Sequence, residues 1–128
     1  MAPPRNETHL LVVEDSDDLV AIWKILFREA GFKARYASTG RAAIALVEQG
    51  FRPDVVLTDY YLPDKTGLEV IEGIRAHADT QCLMITGNKD VAFAEAAKSH
   101  GVRILHKPAK FDEIEACIQA LASASHAR

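Results

Sequence analysis

Three short apolar runs constrain the fold of this chain more than any other feature of its sequence. They lie at residues 10–13, 55–57 and 83–85, and no charged side chain interrupts any of them. Runs of this length are typical of strands that a parallel sheet buries on both faces. Segments 33–37 and 102–105 are only partly apolar, so we expect them to form the two edge strands of the same sheet.

Amphipathic helices are predicted between these strands. Apolar residues recur at helical spacing from 19 to 30, and Gly31 then ends that helix. The same pattern, shorter or richer in alanine, recurs at 39–49, 67–77, 88–99 and 114–121. Strands that alternate with helices require right-handed crossovers. We therefore predict a three-layer α/β fold, doubly wound around a five-stranded parallel sheet in the flavodoxin-like order 2-1-3-4-5.

The length and charge of the chain narrow its class. Its 128 residues have room for one domain, which we place at 9–122, between a disordered lead-in at 1–8 and a polar C-terminal tail at 123–128. A formal net charge of −3 offers no basic surface, so no direct nucleic-acid contact is expected.

The lead-in lacks the apolar core of a signal peptide and no run is long enough to cross a bilayer, so we expect a cytoplasmic protein without membrane contact. Cys82 and Cys117 lie in apolar runs and are predicted to be buried and unpaired.

Polar residues follow four of the five predicted strands. Glu14 and Asp15 follow the first strand, Asp59 the third, Thr86 the fourth and Lys107 the fifth. Because the carboxyl ends of parallel strands meet at one edge of a sheet, we expect these side chains to converge. Each has an ordinary explanation by itself, such as a helix cap or a solvated loop residue. Three acids and a lysine at adjacent strand ends instead indicate a common site.

The chemistry of this set points to phosphoryl transfer with a metal ion. Three close carboxyl groups repel one another and favour a cation, and oxygen ligands select a hard ion such as Mg²⁺. Asp59 is a competent phosphoryl nucleophile if the charge on the transferred group is offset. Mg²⁺ and Lys107 would offset that charge from opposite sides, and the Thr86 hydroxyl would donate to a phosphoryl oxygen.

These motifs resemble the receiver domains of two-component response regulators, of the chemotaxis-regulator-like kind. The matching segments are the acidic pair 14–15, the stretch 59–67, the strand end 84–87 and the pair 107–108, in the same order and spacing. The resemblance covers essentially the whole chain. It implies a phosphoacceptor switch and not an enzyme. Such a switch receives its phosphoryl group from a sensor histidine kinase or a phosphotransfer protein, assists its own phosphorylation and dephosphorylation, and controls a downstream partner.

The resemblance also assigns roles to individual residues. Asp59 is the expected phosphoacceptor, Thr86 the switch hydroxyl and Lys107 the lysine that pairs with the phosphate. The expected Mg²⁺ ligands are Asp15 directly, Glu14 through water, Asp59 and the Tyr61 carbonyl.

Two positions depart from the family pattern. Ile104 stands where many receivers carry an aromatic switch residue, and Ala109 stands where an aromatic residue commonly follows the Lys-Pro pair. A branched aliphatic side chain can fill space but cannot swing between a wet and a buried position. We therefore expect a modest activation change in the loops after the third and fourth strands and in the helix at 88–99, with little movement of the fifth strand.

Three other functions can be weighed on the same residues. A phosphohydrolase of the haloacid-dehalogenase type needs a second aspartate two residues after the nucleophile, where this chain has Tyr61. A flavin-binding carrier needs a phosphate-binding loop after the first strand, where this chain has the acidic segment 14–18. A phosphorylation-independent pseudo-receiver that only binds proteins stays open as the alternative, although it gives the phosphorylation residues no role.

Overall fold

This computed structural model describes residues 8–89 and 91–126, and five strands alternate with five helices along that part of the chain. The strands are β1 (His9–Val13), β2 (Lys33–Ala37), β3 (Val55–Asp59), β4 (Gln81–Thr86) and β5 (Val102–His106). The helices are α1 (Asp17–Glu29), α2 (Gly40–Glu48), α3 (Gly67–Arg75), α4 (Val91–Ser99) and α5 (Phe111–His126). Neighbouring strands are parallel in the order β2-β1-β3-β4-β5. The predicted doubly wound fold and its two edge strands are confirmed.

The central strands separate two packed layers of helices, because alternate residues of a strand point to opposite faces of the sheet. The α1–α5 layer packs helices α1 and α5 on one face, with a core that includes Leu10, Leu57, Leu83, Phe27 and Ile118. The α2–α3–α4 layer packs the other three helices on the opposite face, with a core that includes Leu11, Val56, Met84, Val70 and Ala97. Full burial of each large aliphatic side chain stabilises the fold by about 1.5–3 kcal/mol. Both layers therefore hold the sheet in place.

Hydroxyl side chains cap three of the described helices. Each cap accepts a hydrogen bond from the backbone N–H three residues further on, which satisfies one of the unpaired donors of the first turn. The pairs are Ser16 with Leu19, Thr39 with Ala42 and Thr66 with Glu69. The Glu69 carboxylate in turn accepts from the Thr66 N–H at 2.9 Å and completes a capping box.

A long-range cap ties the loop after β3 to helix α2. The Asp64 carboxylate accepts hydrogen bonds from the N–H groups of Gly40 at 2.8 Å and Arg41 at 2.9 Å. A carboxylate at a helix N-terminus also interacts favourably with the helix dipole. The loop that follows Asp59 is therefore anchored to α2 as well as to α3.

Two glycines allow unusually close packing in the α2–α3–α4 layer. A Cβ atom at Gly67 would lie 2.5 Å from the backbone oxygen of Asp59 and 3.0 Å from the methyl carbon of Met84. A Cβ atom at Gly40 would lie 2.6 Å from a methyl group of Val70. Glycine at 67 thus lets the start of α3 lie directly against the end of β3.

The ends of several elements differ from the prediction. Thr8 is buried and its carbonyl accepts from the Lys33 N–H, so the last residue of the predicted lead-in is part of the fold. Residues 1–7 of the predicted lead-in lie outside the described residues. Helix α4 begins at Val91 and not at 88. Helix α5 continues to His126 into the predicted polar tail. Ala122 and Ala124 favour a helix there, and the Ser123 hydroxyl bonds back to the Gln119 carbonyl at 2.9 Å.

Cys82 and Cys117 are free and buried, as predicted. Burial raises the pKa of the Cys82 thiol to about 11, so this thiol is not a nucleophile at neutral pH. Over residues 8–89 and 91–126, no helix is both long enough and apolar enough to cross a bilayer.

Candidate functional site

The carboxyl ends of β1 and β3 bring together three acidic side chains. Val13 pairs with Thr58 in the sheet, so Glu14 and Asp15 follow β1 at the level where β3 ends in Asp59. One carboxylate oxygen from each of Glu14, Asp15 and Asp59 lies within 4.8 Å of the other two. An arrangement this close combines three negative charges in one small volume, which favours a proton or a cation among them.

Glu14 is the buried member of this cluster. Its side chain is only 5% exposed, and one carboxylate oxygen accepts from the Ser16 N–H at 3.1 Å. Burial raises the pKa of Glu14, and the nearby charges of Asp59 and Asp15 raise it further, while the hydrogen bond from Ser16 acts in the opposite direction. A buried carboxylate with acidic neighbours is a natural ligand for a divalent ion.

Asp59 is held in a fixed orientation by two donors. One carboxylate oxygen accepts from the Tyr60 N–H at 2.9 Å, and the other accepts from the Lys107 ammonium at 3.0 Å. Lys107 reaches Asp59 from the end of β5, and its side chain is about half exposed while that of Asp59 is mostly covered. Each carboxylate oxygen has a second lone pair. Both therefore remain able to bind a further partner.

Thr86 ends β4 beside this group but bonds to its own loop. Its buried hydroxyl accepts from the Asn88 N–H at 3.0 Å, and its carbonyl accepts from the Lys107 N–H at 2.8 Å. Within the described part of the chain no hydrogen bond joins Thr86 to Asp59. The hydroxyl proton is still available to a new acceptor, because this hydroxyl is an acceptor in its bond with Asn88.

Tyr61 lies in the tight loop after Asp59. It forms an isolated antiparallel bridge with Thr66, and the Gly67 N–H donates to the Tyr60 carbonyl at 2.6 Å. Tyr61 is 69% exposed. Its carbonyl as a further metal ligand stays a prediction.

Sequence reasoning missed an apolar cavity next to the carboxylates. The cavity has a volume of about 500 Å³, and its lining includes Asp59 and Lys107 together with Trp23, Ala109 and Phe111. Ala109 was the available signal, because a methyl group at a position where an aromatic residue is common leaves space unfilled. Trp23 and Phe111 gave no such signal, since aromatic residues at helical spacing are usually core residues.

Comparison with known proteins assigns this geometry to one family. The family model of the response regulator receiver domain matches residues 10–119. The chain is 30% identical over 109 residues to the regulatory protein LuxO of Vibrio vulnificus, which covers 84% of this chain and 24% of that protein. It is 30% identical over 112 residues to the DNA-binding response regulator MtrA of Mycobacterium leprae, which covers 87% of this chain and 49% of that protein. The chain thus spans a quarter to a half of the length of these relatives.

A solved structure shares the fold of this chain. A crystal structure of an adenylate cyclase from Rhodopirellula baltica superimposes with a TM-score of 0.87 at 29% identity, over 93% of this chain and 90% of that chain. The family match covers most of the chain, from the second residue of β1 into α5. The protein therefore belongs to the response regulator receiver domains of two-component signalling.

Proposed function

We propose that Asp59 accepts a phosphoryl group in a Mg²⁺-dependent reaction and that the domain then changes conformation to control a partner protein. The observation that carries this proposal is the convergence of three carboxylates and one lysine at the carboxyl ends of β1, β3 and β5. Asp59 is at the centre of that group, within 4.8 Å of the acidic ligand atoms and 3.0 Å from the Lys107 ammonium.

The residues present fit Mg²⁺ as a partner. The donor set of Glu14, Asp15 and Asp59 consists of oxygen atoms only, which is the preference of this hard ion. Receiver domains bind Mg²⁺ at an acidic pocket of this kind. We infer that the three carboxylates hold the ion and that the Tyr61 carbonyl contributes a further ligand. When bound, the ion supplies positive charge that stabilises the phosphoryl oxygens.

The protein's own residues perform the remaining steps of the transfer. An oxygen of Asp59 attacks phosphorus, and the bond from phosphorus to the donor group breaks, with a phosphohistidine nitrogen as the leaving atom when the donor is a kinase or a phosphotransfer protein. The Tyr60 N–H orients the Asp59 carboxylate through its 2.9 Å hydrogen bond. Lys107 moves its hydrogen bond from Asp59 to a phosphoryl oxygen and so remains paired with negative charge.

Thr86 is the residue whose contacts would differ between the unphosphorylated and the phosphorylated state of Asp59. Its hydroxyl has a proton to donate and no acidic partner among the described residues, so a phosphoryl oxygen on Asp59 offers it a new bond. The Thr86 carbonyl is tied to the Lys107 N–H at 2.8 Å. Both phosphate-facing groups would therefore respond together. This differential contact is what a phosphoryl group needs to shift a conformational equilibrium.

The downstream partner is not determined by this site. MtrA is a DNA-binding response regulator, and this chain matches about half of its length, so an absence of direct nucleic-acid contact stays a prediction for this chain. A cytoplasmic location is likewise a prediction.

The pseudo-receiver alternative is less favourable because a module that only binds proteins has no need for a repulsive cluster of carboxylates beside a lysine.

Intact-mass measurement after incubation with a small acyl phosphate and Mg²⁺ tests the proposal. We expect the wild type to gain one phosphoryl group, and Asp59→Asn to gain none while keeping its fold, because the amide has nearly the same size and no anionic oxygen. Removal of Mg²⁺ with a chelator should abolish the mass increase. Equal labelling of Asp59→Asn, or labelling that ignores the chelator, would contradict the assignment.

A further inference from the structure

The cavity beside Asp59 has a polar end and an apolar body. Its volume of about 500 Å³ lies within the range of small-molecule sites. The polar end is formed by Glu14, Asp59 and Lys107. The apolar walls are Leu19, Trp23, Ile85, Ala109, Phe111 and Ile114.

Core residues hold these walls in place. Trp23, Ile85 and Ile114 are all buried and belong to the core of the α1–α5 layer. The Phe27 ring packs against Trp23 with centroids 6.0 Å apart and against Phe111 with centroids 5.0 Å apart. The cavity is therefore a preformed feature of the layer and not a gap beneath a loose loop.

The charge at the polar end of the cavity determines whether a cationic or an anionic ligand is favoured. Lys107 is already paired with Asp59 at 3.0 Å. Glu14 accepts a backbone hydrogen bond from Ser16 and forms a side-chain hydrogen bond with Asp15, so it lies close to the other two carboxyl groups. Negative charge is thus in excess at the point where the apolar walls begin. An anion with an apolar body would be repelled there, whereas a cation would be attracted.

We propose that this cavity binds a small hydrophobic amine. Its apolar body lies against Trp23 and Phe111, and its protonated amino group lies between Glu14 and Asp59. The ammonium group then occupies the carboxylates that the proposed phosphoryl transfer requires, so the amine inhibits that reaction by competition. This competition rests on the proposed function of Asp59, whereas the binding itself does not.

Trp23 provides a direct measurement of binding. It is the only tryptophan of the chain and forms part of the cavity wall, so its fluorescence reports occupancy. The probe is phenylpropylamine at neutral pH without divalent ions, with phenylpropanol and phenylpropionate as isosteres that are neutral and negatively charged. We expect saturable binding of the amine, binding of the alcohol that is about tenfold weaker, and no binding of the carboxylate. Equal binding of amine and alcohol, or no saturable response to the amine, would overturn the proposal.

Substitutions separate the apolar and polar contributions. Ala109→Phe should fill the cavity and abolish amine binding, and its melting curve shows whether the fold is kept. Glu14→Gln should weaken binding of the amine and leave that of the alcohol unchanged, because it removes one of the two carboxylates that face the ammonium group and keeps the shape of the side chain. Glu48→Gln, at an exposed site on α2 in the other layer, is the matched control and should bind like the wild type. Amine binding by a folded Ala109→Phe protein equal to that of the wild type would place the ligand elsewhere.

A labelling experiment tests the competition separately. Saturating phenylpropylamine should slow labelling of Asp59 by a small acyl phosphate, and added Mg²⁺ should weaken amine binding in the fluorescence titration. If the wild type is never labelled, the proposed function fails while the fluorescence result still decides the amine site. If labelling proceeds at an unchanged rate with the cavity saturated, the competition is wrong.

Discussion

The two helix layers that meet at Asp59 differ in how completely they fill space. In the α2–α3–α4 layer, a single added carbon at Gly67 would lie 2.5 Å from the Asp59 carbonyl oxygen. In the α1–α5 layer, a cavity of about 500 Å³ opens beside the carboxylate of the same residue. One aspartate therefore faces close-packed atoms on one side and empty space on the other.

This difference suggests separate tasks for the two layers. Close-packed atoms transmit a displacement because they have no room to absorb it. The Tyr60 ring, next to Asp59, packs edge-on against Phe93 of α4 with centroids 4.7 Å apart. We therefore expect a phosphoryl group on Asp59 to act on α4 through the α2–α3–α4 layer, while the α1–α5 layer can hold a ligand without moving.

Among the variants that test the difference between the two layers, Gly67→Ala should change the free energy of unfolding most. The atom closest to the added Cβ is the backbone oxygen of Asp59, which cannot move aside as the end of a flexible side chain can, so β3 and α3 must separate. We expect the free energy of unfolding to fall by about 2–3 kcal/mol, as measured by urea denaturation. Gly87→Ala is the matched control, because a Cβ there meets nothing within 4 Å. It should change stability by less than about 0.5 kcal/mol. Equal losses for the two variants would remove the claim of close packing at Gly67.

Enlarging one alanine in each layer sharpens the comparison. Ala97 of α4 is fully buried, so Ala97→Leu should overpack the α2–α3–α4 layer and cost about 2 kcal/mol. Ala109 borders the cavity, so Ala109→Leu should be accommodated and leave stability within about 0.5 kcal/mol of the wild type. Thermal and urea unfolding of the pair measure both effects. A loss at Ala109 as large as that at Ala97 would mean that the cavity cannot accept a side chain.

Glu14→Gln should stabilise the metal-free protein. The amide keeps the size of the side chain and can still accept from the Ser16 N–H, while it removes one of three close negative charges. We expect a gain of about 1 kcal/mol without divalent ions, together with a smaller increase in stability than the wild type shows when Mg²⁺ is added. Glu48→Gln, at an exposed position, should change neither value. A less stable Glu14→Gln protein would show that the cluster does not repel as described.

Low pH should reduce the stability that the loop after β3 contributes through its contacts with α2 and α3. This effect should be the smallest of those predicted here. Hydrogen bonds from the N–H groups of Arg41 and Gly40 lower the pKa of Asp64, and those from Thr66 lower the pKa of Glu69. Both carboxylates bind protons less readily in the folded state than in the unfolded state. Their contribution is therefore complete above the ordinary pKa values of 3.8 and 4.5 and is lost as the pH falls through the lower folded values.

Melting temperatures of the wild type and of Asp64→Asn test this sign. The variant should melt at a lower temperature near neutral pH, because the two N–H groups bond to different carboxylate oxygens and an amide replaces one of these oxygens with a donor NH₂ group. The gap between the two proteins should close as the pH is lowered below the folded pKa of Asp64. A difference in melting temperature that grows as the pH falls would contradict the lowered pKa of Asp64.

The sequence predicted the parts of the site that depend on strand ends. Glu14, Asp59 and Lys107 could be placed together because parallel strands end at one edge, a property that needs no knowledge of side-chain packing. The cap from Asp64 to Gly40 could not be foreseen, since it joins residues 24 positions apart through loop geometry. The cavity also depends on long-range packing, because it lies between residues that are distant in sequence, among them Trp23, Ala109 and Phe111. The extension of α5 to His126 shows that polar composition alone is a poor guide to where a helix ends.

The most direct test of the account compares backbone NMR shifts of the Mg²⁺-loaded protein with and without beryllofluoride, which stands in for the phosphoryl group. We predict large shifts at Asp59, at Thr86 and along α4. Shifts across 102–105 should be small, because Ile104 of β5 already packs in the α2–α3–α4 layer and pairs with Met84 in the sheet. No shift at Asp59 and Thr86 would contradict the phosphoacceptor site, and shifts across 102–105 as large as that at Thr86 would contradict the proposed path through α4.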